Sequence, residues 1–378
     1  MKVAVTSLAF CVAALLALGL VMLYSSTMTT AAGAHDLILQ LVWCALGLVV
    51  CVTATALDYE LLKKLAWPAY GCALVLLALV FAPRLGHASH GAHRWIGLGH
   101  FTLQPSEFAK VALIIALAWY GDRHQRQMHT LKRGIVYPMV ISGTLLGLIF
   151  IEPDRGQTIL LAAVSGAMLL IAGVRWRFIL IPVFLGAAGL AFSLFHDSMR
   201  KGRIAAWLHP DAHAGGAALQ AQQAMIGLGS GGWCGVGLGN GLQKNGYLPE
   251  IQTDFIFANI GEELGLIATL FVVLSFVVIA ICGIYIALRS RDTFGFLLAS
   301  GITFLISLQA AINIGVVTSA LPNKGLPLPF ISYGGSNLLA MLLCVGLLFS
   351  VARHAPVREK VSKKTAEADE NPFAAKAA

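Results

Sequence analysis

Read as hydrophobic and polar positions, the chain is a series of long apolar runs broken by short basic connectors and three longer polar stretches. Runs of about 18 or more apolar residues are long enough to cross a bilayer as helix. They predict ten spans: Val5–Thr27, Leu37–Leu57, Leu65–Ala82, Pro105–Tyr120, Ile135–Ile151, Thr158–Val174, Phe178–Phe195, Leu264–Leu288, Phe294–Ser319 and Ser332–Val351. The expected fold is an all-α integral membrane protein of about ten transmembrane helices. One long extracytoplasmic loop falls between spans seven and eight. The membrane domain covers residues 1–352. Its polar stretches are residues 83–104, 196–261 and 321–330. Residues 353–378 are polar and aperiodic, and read as a disordered cytoplasmic tail.

The basic residues sort the connectors. Lys63 and Lys64 follow span two, and Arg123, Arg126, Lys132 and Arg133 follow span four. Arg175 and Arg177 follow span six, and Arg289 and Arg291 follow span eight. All fall on one side of the membrane, which the positive-inside bias makes cytoplasmic, together with both termini. A cytoplasmic (inner) membrane protein is expected. The three polar stretches then lie outside, and any chemistry faces the outer leaflet.

Composition agrees. The chain is 58% hydrophobic and 12% charged, against roughly 45–50% and 25% in soluble domains. A net charge of +8 could point to nucleic acid. Its placement in short connectors excludes that reading. Six of the seven cysteines lie inside apolar runs, and Cys234 alone is in the long polar stretch. They form neither a disulfide framework nor a CxxC metal pair. His87, His90, His93 and His100 share one loop, where their spacing fixes no metal geometry.

Asp254 is the candidate centre. It ends the longest polar stretch, in Thr253-Asp254-Phe255-Ile256-Phe257, just before an apolar run. An ionisable group in apolar company at membrane depth is costly unless paired or used. The alternative is that Asp254 only caps the next helix. In the first outer stretch, Arg94-Trp95 precedes Gln104-Pro105-Ser106-Glu107 and Lys110. Pro105 suits a first helical turn, and Glu107 complements the dipole there. Lys110 is already one turn inside an apolar run, so it can pair with Glu107 or, with Arg94, grip a diphosphate. The glycine run Gly227–Gly239 is no dinucleotide loop, because the flanking strand and helix are missing. It reads instead as backbone that lets a lipid headgroup and tail approach. The cluster Arg200-Lys201-Gly202-Arg203 is either a lipid-phosphate site or a solvated face. The last outer stretch, Leu321 to Phe330, is stiffened by Pro322, Pro327 and Pro329 and offers Lys324 as a further cation.

Taken together these pieces resemble the SEDS family, the polytopic peptidoglycan polymerases. The matching segments are Arg94-Trp95-Ile96 with Gln104-Pro105-Ser106-Glu107, Pro153-Asp154 with Gly156, and the glycine run. Leu248-Pro249-Glu250 with Thr253-Asp254-Phe255-Ile256-Phe257-Ala258, and Lys324-Gly325 through Ser332 to Ser336, complete the set. They keep the family's order over nearly the whole chain. Arg203 to Pro210, Gly227 to Gly232 and Ile260 to Gly265 lean toward the division member over the elongation member. Two positions depart from the family pattern: Arg155 follows Pro153-Asp154, and Gln252 stands where division members usually carry His.

The resemblance implies a glycosyltransferase that polymerises lipid II, a disaccharide-pentapeptide on undecaprenyl diphosphate. It implies Asp254 as catalytic residue, and Arg94, Trp95, Gln104, Glu107, Lys110, Glu250, Lys324 and Ser332 as substrate-binding residues. It also implies a divalent cation, magnesium or manganese, near Asp254, and no organic cofactor. The implied partners are a class B, FtsI-like penicillin-binding protein and other divisome proteins. Elongation rather than division, a lipid II flippase, and a scaffold are the alternatives. Spans one to three carry almost no intramembrane charge, which disfavours a polar path across the bilayer.

Overall fold

The computed structural model describes residues 1–28, 33–82, 86–89, 92–98, 101–196, 202, 205, 207–208 and 219–356. Eleven α-helices follow one another among these residues. The first seven are α1 (Lys2–Thr27), α2 (Gly33–Ala56), α3 (Leu61–Leu79), α4 (Pro105–Arg123), α5 (Tyr137–Ile151), α6 (Arg155–Ile171) and α7 (Trp176–His196). After them come α8 (Leu219–Ser230), α9 (Ile256–Leu288), α10 (Thr293–Val317) and α11 (Gly335–Arg353). Every predicted span falls on a helix. Seven helices are long and apolar enough to cross a membrane, so the protein is a multi-pass helical membrane protein. Glu107, Lys110, Asp122 and Arg123 keep α4 out of that set, while α6 and the apolar part of α7 are shorter.

The expectation of an all-α chain needs a correction. The first polar stretch contains a three-stranded antiparallel sheet, β1 (Gly86–Ser89), β2 (Ala92–Leu98) and β3 (Phe101–Leu103), in the order β1-β2-β3. Its register sets His87 opposite Trp95 and Ile96 opposite Leu103. Such short, glycine-bearing segments have no helical period, and pairing satisfies their backbone where helix cannot. The tail beyond residue 356, most of the Arg200–Arg203 cluster, His90, His100, His209 and Pro210 lie outside the described residues.

Position in the bundle follows from which faces are apolar. α4 is apolar almost all round and runs through the middle, packed against α3, α5, α6, α10 and α11. A helix of that kind is buried, and only a few of its residues reach the surface. α11 packs along α2, and α9 lies between α1 and α10. α7 touches its neighbours little and leaves Phe184 74% exposed.

Candidate active site

The site is built on the turn before α9. Glu250 takes a left-handed backbone at φ 59°. Its carbonyl accepts from the N–H groups of Thr253, Asp254 and Phe255 at 3.2, 3.2 and 3.3 Å. One acceptor thus pins three residues and turns the chain into the helix. The helix N-cap is Phe255, so Asp254 stands one residue outside the capping position. Asn313 of α10 donates through Nδ2 to the carbonyl of Asp254 at 2.8 Å and to that of Leu326 at 2.7 Å. The Ser332 hydroxyl donates to the Thr253 carbonyl and accepts the Leu328 N–H at 2.8 Å. Tyr333 N–H reaches the Gln252 carbonyl at 2.9 Å. The Asp254 turn and the segment 326–333 are therefore one stitched unit. Between them the backbone of Gly325 lies so close that an added Cβ would sit 2.7 Å from Asp254 Oδ2.

Asp254 lines a cavity of about 580 Å³. Arg94 and Trp95 of β2, Gln104, Asp154, Gln157, Glu250, Gln220 of α8, Asn323, Tyr333 and Asn337 line it too. Arg94 is held rather than loose. Its Nε donates to the carbonyl of Glu152 at 3.1 Å and its Nη2 to that of Pro153 at 2.8 Å. Its Nη1 lies 4.0 Å from Asp154 Oδ2. Asp154 in turn caps α6 by accepting the Gln157 N–H at 3.1 Å. Burial pushes the Asp154 carboxyl up, and the Arg94 guanidinium opposes the rise. The neighbouring Glu152 is buried, and neither carboxyl oxygen has a hydrogen-bond partner among the described residues. Burial, and then the Asp154 charge, push it up to about 8 against the pull of Arg94. It is therefore largely protonated at neutral pH.

The other expected residues stand behind the wall. Glu107 and Lys110 are both 0% exposed. Lys110 Nζ lies 2.7 Å from Glu107 Oε2 and donates to Gln309 Oε1 at 3.0 Å. Gln157 Nε2 donates to the other Glu107 oxygen at 2.6 Å. Gln309 Nε2 passes the chain on to the Pro327 carbonyl at 2.9 Å and Asn337 Oδ1 at 3.1 Å. The reading in which Lys110 itself grips a diphosphate gives way to its ion-pair alternative. The ammonium is spent on Glu107 and Gln309, beneath the cavity floor. Ser332 is likewise buried and ties backbone together. Lys324 is half-buried between two cavity-lining residues, Asn323 and Gly325, and burial lowers its amine. Arg94, Trp95, Gln104, Glu250 and Asp254 share the cavity.

The glycine run has a job that its sequence did not suggest. α9 is broken at Gly265, whose φ 78° and ψ −171° are open to glycine alone. The break leaves the carbonyls of Glu262 and Glu263 to be met from outside, and Val236 and Gly237 N–H groups meet them at 2.9 and 3.1 Å. Leu266 and Ile267 N–H groups bond the carbonyls of Gly232 and Trp233 at 2.9 and 3.3 Å. A Cβ on Gly235 would fall 2.1 Å from the Glu263 carbonyl oxygen, and one on Gly231 would fall 1.8 Å from that of Gly261. The small residues let backbone lie on backbone, so one side of the run meets helix. Behind it sits a second charged cluster. Glu263 pairs with Lys244 at 2.9 Å and accepts from Ser25 and, at 3.0 Å, from the Gly239 N–H. Lys244 also donates to the carbonyls of Ser25 at 3.2 Å and Gly239 at 2.7 Å.

No three His, Cys, Asp or Glu side chains among the described residues group as a metal site. Three carboxylates line the cavity, Asp154, Glu250 and Asp254; Asp154 caps α6 and faces Arg94, which leaves Asp254 and Glu250. That donor set is too small for an all-protein cage. It fits magnesium, which is commonly held by one or two carboxylates and substrate phosphates. An apolar groove lined by Ile171, Ala287, Leu288 and Phe296 lies at the opposite end of α9 from Asp254.

Comparison with known proteins places this architecture in company. The cell cycle protein family of FtsW, RodA and SpoVE matches residues 6–356. A probable peptidoglycan glycosyltransferase FtsW of Trichlorobacter lovleyi is 41% identical over 93% of this chain and 94% of its own length. A protein of the same description from Pseudomonas fluorescens is 37% identical over 96% and 90%. Stage V sporulation protein E of Bacillus subtilis is 36% identical over 90% and 94%. Among solved structures, a peptidoglycan synthase complex described as coordinating polymerization and crosslinking contains a chain with TM-score 0.74 and 27% identity, over 92% of this chain and 96% of that one. The Thermus thermophilus rod shape determining protein RodA matches with TM-score 0.69 and 27% identity, over 93% and 97%.

Proposed function

This chain belongs to the FtsW, RodA and SpoVE family of cell cycle proteins, and from that premise we propose that it is a peptidoglycan glycosyltransferase of cell division, polymerising lipid II with Asp254 as general base. The observation that carries the reading is the shared cavity, which is lined by both the Asp254 carboxylate and Arg94, whose guanidinium is fixed on the Glu152 and Pro153 carbonyls. Glycosyl transfer needs both. The acceptor sugar hydroxyl attacks the donor anomeric carbon, and its proton passes to Asp254. The donor's bond to diphosphate breaks. That leaving group asks for positive charge rather than for an acid, and Arg94, with Lys324 between two cavity-lining residues, supplies it. A second catalytic carboxylate is not demanded, unlike in glycoside hydrolysis.

Relatives described as FtsW at 37% and 41% identity favour the division role over elongation. Glu250 and Asp254 would hold a magnesium or manganese ion together with substrate oxygens; when bound, the ion adds charge at the diphosphate. Trp95 and the amides of Gln104, Gln220 and Asn323 suit the sugars. Glu107, Lys110 and Ser332 act through the wall they hold. The proposed topology has ten spans in the cytoplasmic membrane, with both termini inside and the cavity outside. A class B penicillin-binding protein is the partner, since the matching solved chain comes from a complex that couples polymerization and crosslinking.

The test is polymerisation of labelled lipid II by the purified protein with that partner, comparing wild type with Asp254→Asn. Loss of a general base predicts a rate lower by about 10²–10⁴-fold, with lipid II binding and thermal stability retained. Equal polymerisation by both would make Asp254 structural. Movement of lipid II across vesicles without any polymerisation would favour a transporter.

A further inference from the structure

We propose that the glycine-rich hairpin 232–242 is a membrane-interface anchor, seated in the lipid leaflet on the Asp254 side of the bilayer. Three observations carry this. The first is its side chains. Trp233 is 72% exposed and Leu242 66%, with Val236 and Leu238 exposed between them. In a polar connector such a patch needs a cover.

The second is continuity. Beyond the break at Gly265, α9 presents Leu266, Ile267, Leu270, Leu274, Ile281 and Leu288 as an exposed apolar stripe. From Leu266 to Leu288 the helix rises about 33 Å at 1.5 Å per residue. That is close to the hydrocarbon thickness of a bilayer, about 30 Å. Leu266 therefore stands at the hydrocarbon boundary. The carbonyls of Gly232 and Trp233 are bonded to the N–H groups of Leu266 and Ile267, so Trp233 stands at the same level. Tryptophan collects at that depth because its ring is apolar and its N–H is not.

The third is backbone satisfaction. Irregular backbone near hydrocarbon is tolerated only where protein pairs its polar groups. Four hydrogen bonds join 232–237 to α9, through Gly232, Trp233, Val236 and Gly237. The hairpin is thus rigid, paired on its inner side and apolar on its outer side. It carries the break in α9, and with it the Asp254 turn, at a set depth.

The test uses a cysteine-free chain, with all seven cysteines replaced by serine, carrying Trp233→Cys, Leu242→Cys, Leu270→Cys or Asn245→Cys singly. Each is spin-labelled in vesicles of phosphatidylethanolamine and phosphatidylglycerol. Accessibility to oxygen and to a water-soluble nickel chelate is compared. Labels at 233 and 242 are expected to be oxygen-rich and chelate-poor, like the lipid-facing label at 270 and unlike the exposed polar position 245. Chelate access at 233 and 242 equal to that at 245 overturns the proposal. So does shielding that arises only when a class B penicillin-binding protein is added, which would make the patch a protein-docking surface. Should the cysteine-free chain fail to fold, wild type and Trp233→Phe are compared for fluorescence quenching. The emission that Trp233 contributes should be quenched by lipids brominated near the headgroup and spared by iodide. The reverse overturns the idea.

Discussion

Two charged regions flank the start of α9, and they use the same groups to opposite ends. On one flank Glu263, fully buried, has its carboxylate met by Lys244, Ser25 and the Gly239 N–H. On the other flank Asp254 is half-buried and lines a cavity that also holds Arg94, Asp154 and Glu250. The first cluster is closed and the second is open. Charge at membrane depth thus marks cost, not function. What separates structure from chemistry is whether the neighbours fill the space around the charge or leave room for a substrate.

The largest expected difference comes from opening the closed cluster. Lys244→Met leaves Glu263 buried without its cation, which should cost about 3–5 kcal/mol. Thermal unfolding in detergent measures it. Adding Glu263→Gln should restore part of the loss, because the two changes remove one interaction. Asp254→Asn in the same assay should leave the midpoint nearly unmoved. If both flanks lose stability alike, the contrast between closed and open is wrong.

The contrast also explains what the sequence could reveal. Hydropathy alone located the apolar helices, because a bilayer demands long apolar helices and little else resembles them. That Asp254, Arg94 and Trp95 would gather on one cavity was legible from polar residues collecting in stretches with no topological duty. Glu107 and Lys110 carried the same signal of costly charge, yet pair with each other and Gln309 out of reach of the cavity. Their partner lies 199 positions away from Lys110, a distance that no local pattern spans. Gln309, Asn313 and Asn337 went unremarked, although single amides inside apolar helices are a signal of their own: hydrogen bonds between helices are the usual reason to keep them there. The contact between the glycine run and α9 was not legible because it depends on a break at Gly265, well beyond Gly239 in the chain. The sheet escaped because its strands are short and rich in glycine and histidine.

A smaller effect sharpens the comparison from the open side. Gly325→Ala puts a methyl group 2.7 Å from Asp254 Oδ2, so the carboxylate or the segment must move. A displacement of about 1 Å can cost on the order of 10²-fold in rate. Lipid II polymerisation should fall by that order while the unfolding midpoint changes little. Gly235→Ala, on the closed flank, should do the reverse. It forces a Cβ to 2.1 Å from the Glu263 carbonyl at a φ of 79°, so stability falls first and activity only with it.

The smallest effect is a dependence on pH, and it belongs to the open side alone. Glu152 is buried beside Asp154 with neither carboxyl oxygen hydrogen-bonded among the described residues. Its folded pKa is raised from 4.5 to about 8. Between these values the folded state binds a proton that the unfolded chain has released. Stability is therefore fully present below 4.5 and is lost as pH rises through 8. Glu152→Gln keeps the neutral shape and removes the titration. Wild type should fall relative to this variant by a few degrees in unfolding midpoint as pH rises across that window. Parallel profiles would mean that Glu152 finds a partner in solution, and that the cavity is closed on that side as firmly as the Lys244 cluster.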